Sequence, residues 1–549
     1  MWLKKIFAAL TKKERIIFTI ALAGAGVSFV AVMGIMIAQA THAIPAPGGT
    51  FTEGSLGQPE YINPVIATSQ TDLALVKLIY SSLPQLAYSI TPSADLKTWD
   101  VRLKPDLLWQ DGQPLTSDDV IFTVQSIQNP DANSPLYQAW QGVTVNRVSE
   151  LELTFTLSNP YAFFGDTLAN LYILPKHIFA DAPPGNWHLS NYNLKPVGSG
   201  SYRFSSYGKT SDGFISSYRL AAWDGTSGPH PLIKNFTFQF FNNENALVQA
   251  FNNGTIDGFG NATPEDIASL TRPASIFTLP TSGYYAVFFN NSTNIALQDP
   301  AVREALSAAV DRNALVQTAL GGNGQPEYGP VPPDAAYYAP IAPVTSSAQF
   351  AESLLDSAGW TMSSSSPYRS KTVHGVTIPL AVNLTVPQID FLAKTASYLQ
   401  KAWQAIGVQV NVLPDSSNNI VANDIPNRSY ESLLFGNVLG PSSDLYSFWD
   451  SSQDFAPGLN LAIYSNPKVD KLIEQARQNP ISSSTATELA TAQQDIAADY
   501  PAIFLYSPDY VYVANNNLQG VSTSTILTDP SDRFTQVPYW YLNTARVLK

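Results

Sequence analysis

Two pairs of neighbouring acids, Asp118-Asp119 and Glu265-Asp266, are the nearest this sequence comes to the paired carboxylates of general acid–base chemistry. Both pairs stand where a helical pattern begins, and acid in a first turn is favoured by the helix dipole, so capping is their expected role. The five histidines (His42, His177, His188, His230, His374) are scattered, and none belongs to a His-Glu-x-x-His zinc pattern. No Gly-x-Ser-x-Gly elbow presents a serine nucleophile. Val197-Gly198-Ser199-Gly200-Ser201-Tyr202 lacks the third glycine and the lysine of phosphate-cradling loops, and it leads into a strand-like stretch, so it reads as a tight turn. The absence of cysteine excludes disulfides, thiolate metal sites, a cysteine nucleophile and a lipidated cysteine. The reading is therefore of a non-enzyme without cofactor or metal, whose functional groups bind rather than react.

The elements that must position such groups alternate between strand and helix. With 549 residues, 45% hydrophobic, the chain exceeds what one core holds, and two or more lobes are expected. Charged residues are only 13% while aromatics reach 11%, and 40 prolines point to a loop-rich surface. Strands are predicted at 99–103 and 151–157 from period-2 alternation, further strands at 49–54, 235–241 and 284–290, and a helix at 71–83. Residues 378–386, 391–406 and 408–413 form a strand-helix-strand unit closed by Gly407. Thr116, Asp299-Pro300 and Asn466-Pro467 mark helix starts. Residues 363–366 are a serine-rich turn.

The N-terminus decides the compartment. Lys4, Lys5, Lys12, Lys13 and Arg15 precede an uncharged run from 16 to 40, which as a helix would span about 37 Å against about 30 Å of hydrocarbon. The basic segment 1–15 places the N-terminus in the cytoplasm and the rest outside, so the expected location is the cell membrane, single-pass, with the large domain extracytoplasmic. A cleaved signal peptide is the competing reading, because Ala38-Gln39-Ala40 has the small-x-small form of a cleavage site. Residues 41–49, rich in Pro and Ala, read as a linker. The net charge of -13 and a pI near 4.8 argue against a nucleic-acid partner, since phosphate binding needs a basic face.

A series of short motifs then appears in a telling order. They are Tyr61-Ile62-Asn63-Pro64, Leu78-Ile79-Tyr80-Ser81, and Trp109-Gln110-Asp111-Gly112 followed by Thr116-Ser117-Asp118-Asp119. Val197–Tyr202, Phe288-Phe289-Asn290, Arg303-Glu304-Ala305-Leu306, Asp444-Leu445-Tyr446-Ser447-Phe448-Trp449 and Tyr464-Ser465-Asn466-Pro467 complete the set. In this order the chain resembles the extracytoplasmic solute-binding proteins of ABC transporters, family 5, the dipeptide, oligopeptide and nickel class. The resemblance implies an α/β, two-lobed periplasmic-binding-protein-like clamp, here preceded by one transmembrane helix. Lobe I is expected from 50–80, 196–280 and 500–549, a small extra domain from 81–195, and lobe II from 281–499.

By the same resemblance the chain would capture peptides or a similar small oligomeric solute by lobe closure and deliver it to the transmembrane subunits of an ABC permease. The Thr68-Ser69-Gln70 loop lies where relatives offer polar groups to a peptide backbone, and Tyr284-Tyr285 opens a strand near the interlobe crossing. Peptide-binding relatives hold the peptide amine with an aspartate where this chain has Pro441, so that contact does not transfer. Ser442, Ser443, Asp444 and Tyr446 are the remaining candidates there; Asp444 suits either a cation contact or a cap, and Tyr446, Phe448 and Trp449 either pocket lining or core. Trp109 is expected beneath a turn, and Arg303 and Asp311 in surface or interlobe ion pairs. Rival readings are an exported hydrolase, which would turn its ligand over, and a sensor or adhesive surface protein on the same scaffold, on which uptake would not depend.

Overall fold

A computed structural model of the chain describes residues 11–343, 346–364 and 366–548. The helix Lys12–Ala40 carries an apolar span, Lys12–Met33, long enough to cross a membrane, and none of that span's most apolar stretch is buried among the described residues. Of the basic segment expected at 1–15, residues 1–10 lie outside the described residues. The segment predicted as a linker at 41–49 is instead largely a strand: Thr41–Ala46 pairs antiparallel with Asn543–Leu548 near the C-terminus. Pro45 is compatible with this because a two-stranded ribbon has only edges, where a missing ladder N–H costs little.

Two sheets make the two lobes. The first has seven strands in the order Ala274–Leu279, Tyr510–Asn515, Gly258–Gly260, Thr50–Leu56, Asn235–Phe241, Ile215–Ala222 and Tyr202–Lys209. The second has six, in the order Gly324–Pro326, Ala502–Pro508, Gly283–Phe289, Ser432–Val438, Ala381–Pro387 and Gln409–Asp415. The predicted strand-helix-strand unit is the far edge of this second sheet, where Ala381–Pro387 and Gln409–Asp415 run parallel about the helix Asp390–Ala405. Ala502–Pro508, expected in the first lobe with the rest of 500–549, pairs with Gly283–Phe289 in the second. The chain changes lobe at Asp509, the single residue between that strand and Tyr510–Asn515.

Alternation explains how the central strands of the second lobe serve two cores. Tyr284, Ala286 and Phe288 enter one apolar cluster while Val287 and Phe289 enter another on the opposite face; Phe504 and Ile503 divide in the same way. A separate four-stranded antiparallel sheet (Ala87–Pro92, Thr98–Leu103, Glu152–Leu157, Val143–Arg147) forms the small domain, whose core is continuous with that of the first lobe. Its far loops also reach the second lobe: Leu96, Ala162 and Phe163 are buried among second-lobe residues.

The caps are where the sequence placed them. Thr116 accepts the Asp118 N–H while Asp119 accepts the Thr116 N–H, and Asp299 and Asn466 cap the helices that open at Pro300 and Pro467. Trp109 is fully buried under the turn closed by the Gly112 N–H to Trp109 carbonyl bond. Gly198 and Gly200 press on the end of the helix Gln70–Ile79; a Cβ on Gly198 would lie 1.9 Å from the Ile79 oxygen. Arg303 departs from expectation: it is buried and donates to the carbonyls of Leu297, Asp499 and Tyr500 rather than joining an ion pair. Asp311 caps the helix Arg312–Leu320 through the Ala314 N–H.

Candidate functional site

Between the two sheets, where Leu279 leads to Gly283 and Pro508 to Tyr510, the chain crosses from lobe to lobe twice. The crossings are tied side by side: the Thr281 hydroxyl donates to the Pro508 carbonyl at 2.7 Å and the Ser507 hydroxyl to that of Gly283 at 2.7 Å. A cavity of about 790 Å³ opens against these segments, with the first lobe contributing Leu56 and Tyr510 and the second Tyr285, Phe391, Phe435 and Val438. That volume falls within the ~300–1,000 Å³ of small-molecule sites.

The walls are apolar and the rim acidic. Leu56, Ile389 and Val438 are 46%, 39% and 55% exposed, unusual for large aliphatics gathered at one place. The ring of Tyr285 meets Phe391 edge-on at 5.1 Å and leaves no room for a side chain at position 436, where Gly436 stands. Glu265 and Asp390, from opposite lobes, both reach Lys394 at 2.9 Å. Asp509 carries a carboxyl raised to about 6, chiefly by burial and further by the nearby Asp334 carboxylate.

The predicted site residues divide between this cleft and a second place. Ser69 is spent as the cap of the helix Gln70–Ile79, exchanging hydrogen bonds with Asp72. Gln70 donates to Asp529, a cleft residue, at 2.8 Å, so the 68–70 loop flanks the cleft at one remove while Thr68 stays exposed. Tyr285 lines the cleft directly. Tyr284 also borders the cleft but is fully buried, and its hydroxyl accepts from Asn437 at 3.0 Å and Trp449 at 3.2 Å, so its polar end serves the core. Trp449 is likewise core, and Phe448 is half-buried.

Ser442, Ser443, Asp444 and Tyr446 lie instead at the seam between the small domain and the second lobe. The Ser442 N–H donates to Asp166 at 2.8 Å, and Ser443 is buried with φ +50. Asp444 pairs with Arg477 at 3.0 Å and accepts from the Tyr161 hydroxyl at 3.2 Å and from the Tyr446 N–H at 3.1 Å. The Arg477 guanidinium lies over the rings of both Tyr161 and Tyr446, at 4.7 and 4.1 Å. A separate cavity of about 780 Å³ adjoins this cluster. The cation contact considered for Asp444 is thus filled by an arginine of the chain itself.

The acid pairs do what capping predicts. Asp118 pairs with Arg147 at 3.0 Å, Asp119 accepts the N–H groups of Thr116 and Lys176, and Asp266 accepts that of Thr263. Among the described residues no three His, Cys, Asp or Glu side chains gather in a way that could hold a metal ion. Sequence reasoning missed Leu56, Phe435, Val438 and Asp509. For Asp509 a signal existed: it is the lone acid between the apolar runs 502–506 and 510–514.

The family described as bacterial extracellular solute-binding proteins, family 5 Middle, matches residues 83–456. The chain is 26% identical to the oligopeptide-binding protein AppA of Bacillus subtilis over 494 residues, which is 87% of this chain and 89% of that protein. It is 28% identical to the nickel-binding periplasmic protein of Escherichia coli, over 72% of this chain and 75% of the other. Among solved structures, the ABC transporter substrate-binding protein CtaP of Listeria monocytogenes superposes with a TM-score of 0.76 at 26% identity, covering 90% of this chain and 99% of CtaP. AppA of Bacillus subtilis in complex with a nonapeptide gives 0.70 at 25% identity, covering 91% and 100%.

Proposed function

Because this chain belongs to the bacterial extracellular solute-binding proteins of family 5, and so serves as the substrate-binding receptor of an ABC importer, we propose that its guest is a short peptide or similar small oligomer held in the interlobe cleft. The observation that carries this reading is the cavity of about 790 Å³ set against both crossover segments and walled by both sheets. A guest there touches both lobes, so binding favours the closed arrangement over the open one by the contacts only closure makes. The permease then recognises the closed form. Apolar walls formed by Leu56, Phe435 and Val438 supply contact area, and the Tyr285 and Phe391 rings exclude water. The nonapeptide bound by AppA of Bacillus subtilis supports a guest of this class.

The helix Lys12–Ala40 is proposed to tether the receptor to the membrane it serves, with the body outside. Isothermal titration of the purified full-length chain with pools of di- to pentapeptides tests the reading. Saturable binding, weakened at least tenfold by Tyr285→Ala, is expected; peptides that fail to bind, or that are recovered cleaved, would overturn it.

A further inference from the structure

Asp509 is the one residue between a strand of each lobe's sheet, so it stands at one of the two crossings that join the lobes. It lines the cleft, and its own N–H is held by the Asn323 carbonyl at 3.2 Å. Among the described residues its carboxylate has neither a hydrogen-bond donor nor a cation. The other acids of the cleft differ. Asp529 accepts from Gln70 and from the Ser531 N–H, and Glu265 and Asp390 share Lys394. Among the described residues that line the cleft Lys394 is the one basic side chain and is already matched twice, while burial and the neighbouring Asp266 raise the carboxyl of Glu244.

A half-buried carboxylate without a counterion is a standing electrostatic cost, and it shows in the carboxyl being raised to about 6, mainly by burial. Such a group is kept at low cost only if something in the working cycle compensates it. The neighbouring acid does not: Asp334 is itself engaged by Gln325 at 2.7 Å and lies nearby on a separate segment. The excess negative potential of the cleft attracts cations and is focused by its apolar walls.

We propose that Asp509 is the cation-recognising residue of the cleft, and that the guest this receptor selects carries an ammonium or guanidinium group held against the crossover strands beside aliphatic contacts on Leu56 and Val438. This rests on the cleft being the guest site and names the chemistry of the guest. A charge-assisted hydrogen bond formed there would be made once the guest enters and would be strengthened as closure removes water.

Full-length protein in detergent is titrated with the tripeptide Ala-Lys-Ala, N-acetylated and C-amidated, and with the same peptide carrying norleucine for lysine. The lysine peptide is expected to bind about thirty-fold or more tightly, the loss typical of removing one partner of a charged hydrogen bond. Asp509→Asn is expected to abolish that preference, whereas Asp334→Asn, altering the neighbouring acid, leaves it in place. Equal binding of the two peptides to the wild-type chain overturns the inference whether or not the variants fold, as does a preference that survives in a folded Asp509→Asn protein. If neither peptide nor any member of the di- to pentapeptide pools binds, the peptide reading of the cleft fails, and this inference falls with it.

Discussion

Replacing Phe163 by alanine should loosen the seam between the small domain and the second lobe while leaving the first lobe intact. Phe163 is 2% exposed, with its ring 6.3 Å from that of Tyr337 and 6.1 Å from that of Tyr161. It is buried in the same apolar cluster as Val331, Leu445 and Leu461 of the second lobe. Truncating a buried phenylalanine to alanine costs about 3–5 kcal/mol when the site cannot collapse, and at about 1.4 kcal/mol per decade this is roughly a hundred- to several-thousand-fold in the opening equilibrium. The neighbouring Ala162 N–H donates to the Arg477 carbonyl across the seam at 2.7 Å, so its hydrogen exchange reports opening directly. Protection of Ala162 should fall by about a hundredfold or more, with the amides of Thr50–Leu56 unchanged. A folded variant in which Ala162 exchanges as slowly as in the wild type would refute the reasoning, because it would mean that the polar contacts of Asp166, Asp444 and Arg477 hold the seam without the ring.

Gly198→Ala should destabilise the fold or prevent its recovery, since the new Cβ meets the Ile79 carbonyl oxygen at 1.9 Å, while Gly165→Ala, whose Cβ meets nothing nearer than 3.9 Å, should melt like the wild type by circular dichroism. Arg533→Met removes the cation 2.5 Å from the fully buried Glu53 and should cost about 3–5 kcal/mol in urea unfolding at pH 7. Part of that loss should return as the pH drops through the acid range, because burial already raises the Glu53 carboxyl and the lone group would take up a proton. Glu327 is buried and its carboxyl is raised to about 8, chiefly by burial. The folded state therefore binds the extra proton between the ordinary glutamate value and about 8; this contribution to stability is complete below that window and lost as pH rises through it. The melting temperature should fall across that range, and Glu327→Gln should flatten the fall. Alkaline carbonate extraction should leave the full-length chain in the membrane pellet and release one lacking residues 1–40; a mature chain found to begin near Thr41 would mark the helix as a removed signal.

Local chemistry was legible in the sequence wherever one short stretch decides it. Thr116, Asp299-Pro300 and Asn466-Pro467 announced their helices because a cap is satisfied by N–H groups two or three residues away. The stretch 284–290 announced a strand, while its burial on both faces became visible only in the fold. The cleft was not legible in this way, because Leu56, Tyr285, Phe435 and Asp509 are brought together only by strand order in two sheets. Asp444 shows the intermediate case: its bond to the Tyr446 N–H follows from spacing, but its pairing with Arg477 depends on how a later helix of its own lobe packs and its bond from Tyr161 on how the small domain docks. The ribbon of Thr41–Ala46 with Asn543–Leu548 escaped for the same reason, since its pairing partner lies at the other end of the chain.

The central claim is that two lobes close on a small guest at the crossover strands and give it up chemically unchanged. Small-angle scattering of the detergent-solubilised chain with and without a bound peptide, followed by mass spectrometry of the peptide released on unfolding, tests it most directly. A smaller radius of gyration with guest and an unaltered guest mass are expected; identical scattering with saturating guest, or a guest recovered as fragments, would contradict it.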